Sequence, residues 1–190
     1  MNRTGLAAAL ALALALAVGL ASCDAGTPVQ GPADAGEAAS HASASRIVLQ
    51  PKGLGVKDVA GATRDLTFGT PKLATLEALT AAHDGVAGVQ SANGECGAGP
   101  LTFAAWDDGL TVAFDNGDFA GWSLGNSGAT TAQGIGVGTT RADLDKISPE
   151  VRESSLGAEF TAGEIGGLLD GPTAEAHVTT LWAGVTCMFR

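Results

Sequence analysis

At 190 residues the chain has room for one domain with some additional segments, and two full domains would be cramped. Its formal charge of −10 repels nucleic-acid phosphates and anionic headgroups, so neither is expected as a partner. Tyr is absent and Gly abundant, at 28 residues, which favours tight turns and short strands over long helices.

The chain opens with one positive charge, Arg3, followed by an Ala/Leu run from Leu6 to Leu20. A basic start before an apolar stretch of this length describes an export signal, and the run is short for a membrane span. Leu20-Ala21-Ser22-Cys23 follows at once and resembles the lipobox of bacterial lipoproteins. That resemblance implies cleavage after residue 22 and a diacylglyceryl group on the Cys23 thiol. It places the mature protein in the cell envelope, held to a membrane by its N-terminal lipid. Asp24 resembles the signal that retains such proteins at the inner membrane. Ordinary cleavage after Ala21 and an uncleaved anchor are the competing readings. Removing residues 1–22 leaves 9 Lys and Arg against 20 Asp and Glu, or −11.

Residues 23–45 follow as the lipid-bearing Cys and a tether rich in Ala, Gly, Ser, Pro and acids, His41 among them. Such a segment buries too little surface to offset the entropy of ordering it. Residues 46–190 are then expected to form a single domain. With Cys23 lipidated, Cys96 and Cys187 remain as a pair in an oxidising compartment. A disulfide between them is the economical reading, worth roughly 3–5 kcal/mol through loop closure. Two buried free thiols are the alternative. No CxxC or HxxxH spacing suggests a metal site, and no cofactor is expected.

Within the domain, Leu66-Thr67-Phe68-Gly69-Thr70 precedes one helical pattern and Ile135-Gly136-Val137-Gly138-Thr139 precedes another. The Thr hydroxyls suit the orphan amides of a first turn, Pro71 suits a first helical position, and Thr140 with Asp143 has capping-box spacing. Leu73, Leu76 and Leu79 would form one helix face, and Leu144, Ile147 and Val151 the other. Strand-rich sequence follows each helix. The expected fold is therefore α+β: two tandem helix-plus-antiparallel-sheet repeats, about 47–124 and 130–190, with helices on one face of the sheet.

Three strands are expected at 101–106, 110–114 and 119–124, joined by two-residue turns at Asp108-Gly109 and Asn116-Gly117. That register sets Trp106 opposite Thr111 and Thr111 opposite Trp122, with Phe103, Phe114 and Phe119 on the reverse. Further strands are expected at 155–162, 164–169 and 177–189. The last sends Leu181, Ala183, Val185, Cys187 and Phe189 to the core and Thr180, Trp182 and Thr186 outward. All three indoles then share the face opposite the core, a surface suited to a protein partner. Trp106, Thr111, Trp122, Thr180 and Trp182 are the candidate binding residues. The competing reading covers that face with residues 47–65 or with the opposite unit.

The strand-Gly-Thr-helix entry and following meander, at 66–83 and 135–147, resembles small envelope lipoproteins of the SmpA/OmlA (BamE) type. Doubled in tandem, it is similar to the β-lactamase inhibitory protein fold. The resemblance implies helices on one side of an antiparallel sheet and an aromatic concave side that grips a protein. Inhibition of a β-lactamase does not carry over.

No catalytic constellation is legible. Gly134–Thr140 fits neither phosphate-loop pattern, Asp107, Asp108, Asp115 and Asp118 read as turn residues, and His83 ends a helix beside Asp84. The expectation is a non-catalytic, membrane-tethered protein that binds another envelope protein. A structural envelope or cell-wall role without a dedicated partner, and an envelope hydrolase, are the alternatives.

Overall fold

The computed structural model describes residues 46–187 apart from 59, 127 and 148, all within one compact unit, Ser40–Arg190. The expected export signal, the expected lipidation site Cys23, Asp24, the expected tether with His41, and Phe189 lie outside the described residues.

The elements are β1 (Ile47–Gln50), β2 (Gly53–Lys57), β3 (Thr63–Thr67), α1 (Lys72–Ala82), β4 (Val89–Asn93), β5 (Leu101–Ala105), β6 (Leu110–Asp115) and β7 (Asp118–Leu124). After these come β8 (Thr130–Thr131), α2 (Arg141–Leu144) running into a 3-10 turn (Asp145–Ile147), β9 (Glu150–Ser154), β10 (Gly157–Ala162), β11 (Ile165–Leu169) and β12 (Val178–Gly184). Four strands form a sheet in the order β3-β2-β1-β8, and eight form another in the order β4-β5-β6-β7-β12-β11-β10-β9.

This corrects the expected α+β repeats. The described chain is mostly β, with twelve strands in two sheets and two short helices. β1 and β2, absent from the sequence reading, and β3, which overlaps the strand expected ahead of Gly69, build the second sheet with β8. That sheet contributes Leu49, Leu54 and Leu66 to a cluster shared with Val112, Phe114, Trp122, Leu124 and Leu181. The second expected helix is only one turn plus a 3-10 turn, and Val151 lies in β9 instead. On α1 the buried residues are Thr75 and Leu79, while Leu73 is 70% exposed. Thr70 does not cap α1: its hydroxyl donates to the Thr67 carbonyl, and Pro71 holds the cap position. The cap on α2 is as expected, with the Thr140 hydroxyl accepting from the Asp143 amide at 3.1 Å.

The two hairpins of the meander differ, and the difference decides which way the aromatics point. Asn116-Gly117 is a two-residue turn with φ of 49° and 92°, and it pairs Asp115 with Asp118 and Phe114 with Phe119. The earlier turn takes three residues, because Asp108 is not left-handed and Gly109 alone carries a positive φ, 83°. Trp106 N donates to Leu110 O at 2.9 Å, so Thr111 lies opposite Ala105 rather than opposite Trp106. A one-residue slip turns every side chain of a strand to the other face. Phe103 therefore leaves the core side and Trp106 joins it.

Candidate partner-binding surface

The indoles do not share an open face. Trp122 is fully buried. A register shift at Ala113/Phe114 lets it share a face with Phe114 and Phe119, and its Nε1 donates to the Gln50 carbonyl at 2.9 Å, tying the two sheets together. Trp106 is 7% exposed and lies in the same core cluster. Trp182 stays on the opposite face, in a cross-strand row with Thr111 and Ser123 and with Thr180 two residues along its own strand. It too is only 7% exposed, and its ring lies so close over Gly166 that a Cβ there would come within 2.5 Å. Thr111 and Thr180 are half-buried. Thr111 lines a cavity of about 170 Å³ with Phe103, Ala113, Ser123, Thr186 and Cys187. The expected open Trp surface is thus corrected: two indoles face the core and the third is covered.

The last strand stops at Gly184, short of the expected residue 189. The chain then turns back, with Val185 N donating to Ala120 O at 2.9 Å, and carries Cys187 to a disulfide with Cys96, as expected from the cysteine count.

What Trp106 does instead is hold the approach to β4. Its ring stacks on His83 at 4.8 Å between centroids, and its Nε1 donates to Val86 O at 3.0 Å. Gly88 lies against the same ring, where a Cβ would meet the indole at 2.9 Å. The far end of β4 is held as well. Asn93 Nδ2 donates to Cys187 Sγ at 3.5 Å and Asn93 Oδ1 accepts from Glu95 N at 2.8 Å. Between these two anchors the strand pairs with no other described residues on its outer side, because β4 is an edge of the eight-stranded sheet.

Beside it lies a groove of about 600 Å³ whose lining includes Arg46, His83, Val86, Val89, Trp106 and Asp107. Val86 is 60% and Val89 73% exposed. His83 forms part of the groove's wall. Its Nδ1 is 2.6 Å from Leu79 O and its Nε2 3.1 Å from Asp108 Oδ2, so both ring nitrogens are already engaged, and Trp106 covers one ring face. Asp84, its neighbour in sequence, pairs instead with Arg46 at 2.6 Å. The loop before α2 is equally occupied. Gly134 N, Gly136 N, Gly138 N and Thr139 N donate within the fold, leaving those amides unable to cradle a phosphate.

Among the described residues, no group of three His, Cys, Asp or Glu side chains could hold a metal, and no helix is long and apolar enough to cross a membrane.

The sequence reading missed β4. Its residues, Val-Gln-Ser-Ala-Asn, lack the alternation that marks a half-buried strand, because almost nothing on this edge is buried. Charge gave no separate signal, since residues 85–94 carry none but neither do the longer runs 96–106 and 119–140. The other edges are guarded. β9 carries Glu150, Arg152 and Glu153, β3 carries Arg64 and Asp65, and β8 is two residues long. Charges and shortness are the usual protections of a strand edge. Among the described strands β4 alone lacks both.

No family model matches the chain, and no curated relative does. The chain is similar to the crystal structure of the uncharacterized protein yfeY from Escherichia coli, at 14% identity and a TM-score of 0.46, over 63% of this chain and 93% of that one. A likeness at that level carries no argument about activity.

Proposed function

We propose that this chain is a lipid-anchored envelope protein whose domain holds another envelope protein without catalysis, through the edge of its larger sheet. The lipobox-like Leu20–Cys23 supports the anchor, and the engaged nitrogens of His83 argue against acid–base chemistry in the adjoining groove. The observation that carries the binding role is β4: an exposed, uncharged edge strand fastened at both ends. Such an edge offers a row of backbone donors and acceptors to an incoming strand, a recurring mode of peptide recognition. Fastening matters because a strand already ordered loses little entropy on binding.

Two experiments test this. A photo-crosslinking residue at Gln90, in β4, gives one dominant adduct in intact cells, whereas the same group at Glu153, in β9, gives none. Equal adducts from the two edges would remove the assignment. Separately, labelled fatty acid enters the protein and Cys23→Ser abolishes its incorporation and its sedimentation with membranes.

A further inference from the structure

Resting on that reading, we infer that the β4 edge accepts an extended peptide segment with an uncharged, β-branched centre and Lys or Arg at both ends. The centre follows from what the strand displays. Val89 and Val86 are solvent-exposed apolar side chains beside an uncharged run, and an apolar side chain is what removes them from water.

The ends follow from the acids that bracket the strand. At the Val89 end, Ala105 pairs with Val89, and the turn just beyond it exposes Asp107 on the same groove. At the other end, Glu95 is exposed two residues past Asn93. Among the described residues neither carboxylate has a cation against it, while the described cations near the strand are engaged elsewhere. Arg46 pairs with Asp84, and Lys72 donates to Thr102 Oγ1 at 3.1 Å with its ammonium 5.1 Å from the Phe114 ring centroid. The chain's charge of −10 adds a long-range attraction for a basic segment.

The same acids disfavour a second copy of this chain as occupant. Two β4 strands paired antiparallel about Ser91 would bring Asp107 of one copy beside Glu95 of the other at both ends. Like charges so placed oppose the pairing. A β4 strand of five residues spans about 17 Å, so one basic residue beyond each end of a matching segment reaches the acids.

The test uses the full chain in a non-ionic detergent and fluorescence anisotropy with three peptides: Lys-Val-Thr-Val-Thr-Val-Lys, the same with Ser at both ends, and the same with Glu at both ends. The Lys-ended peptide should bind about tenfold more tightly than the Glu-ended one, with the Ser-ended peptide between, and added salt should shrink the gap. Asp107→Asn with Glu95→Gln should erase the preference among the three peptides. N-methylation of alternate peptide amides should abolish binding.

Equal binding of all three peptides would overturn the charge inference while leaving the edge as a docking strand. Undiminished binding of the N-methylated peptide would overturn strand addition. Self-association of the chain, lost in Val89→Lys, would assign the edge to a second copy and overturn the inference. If no peptide binds but the Gln90 adduct forms in cells, the peptide chemistry is wrong and the binding role stands. Absence of both removes the role itself.

Discussion

Replacing Trp122 separates a structural indole from a binding one. The side chain is fully buried between the sheets, and its ring nitrogen satisfies the Gln50 carbonyl across 72 positions of chain. Truncating a buried Trp to Ala costs about 3–5 kcal/mol, from lost burial and the cavity left behind. Trp122→Phe keeps most of the apolar bulk and deletes the donor, leaving a part-buried carbonyl short of a partner at about 1 kcal/mol. With a urea dependence of about 2 kcal/mol per molar, a 4 kcal/mol loss moves the unfolding midpoint by about 2 M. Domains of this size have only about 5–15 kcal/mol in total, so Trp122→Ala should lie near the limit of folding. Urea unfolding followed by circular dichroism should rank wild type above Trp122→Phe above Trp122→Ala. A midpoint within about 0.5 M of wild type for the Ala variant, with partner adducts lost, would refute the packing argument and return the indole to the surface.

The Cys96–Cys187 bridge spans 91 positions, so Cys96→Ser with Cys187→Ser should cost about 4 kcal/mol in unfolding free energy and remove the sensitivity of the midpoint to reductant. Gly117 sits at φ 92°, so Gly117→Ala should lower stability by about 1–2 kcal/mol, read from the same midpoint; an unchanged value would mean the turn is not left-handed there. Asp143 is held below the usual carboxylate range, first by its hydrogen bond from Lys146, then by that from Thr140. A lowered carboxylate stabilises the fold above the ordinary value and ceases to do so as pH falls through the lowered one. In Lys146→Ala the Asp143 titration followed by NMR should move upward, and no movement would remove Lys146 as the cause.

How much was legible follows from what each signal depends on. Asn116-Gly117 was readable because a two-residue left-handed turn is a local requirement that those residues meet on their own. Asp108-Gly109 looked alike and was not, since the choice between a two- and a three-residue turn rests on whether Asp108 adopts positive φ. That single difference sent Trp106 to the core and Phe103 out of it. Trp122 was misplaced for a related reason: the register shift beside Ala113 is not written in any residue type. The strands β1 and β2 escaped because four and five residues, one with three apolar residues in a row and the other with two glycines, are too short for a period to declare itself. The disulfide was legible by counting once the expected lipidation set Cys23 apart, leaving two cysteines.

The edge strand shows why the binding surface could not be read locally. Nothing in Val89–Asn93 holds it as a strand by itself, since it has one β-branched residue and almost no burial. Its shape comes from residues distant in sequence. Trp106 grips Val86 and Gly88 ahead of it, and Cys187, brought back over the sheet after Gly184, meets Asn93 behind it. A weak strand former so firmly held gains nothing for the core in return. Order is imposed there at a cost in chain entropy, without the burial that elsewhere offsets it. An incoming strand would supply the missing pairing, and that is the physical reason to seek the partner at this edge rather than at any indole.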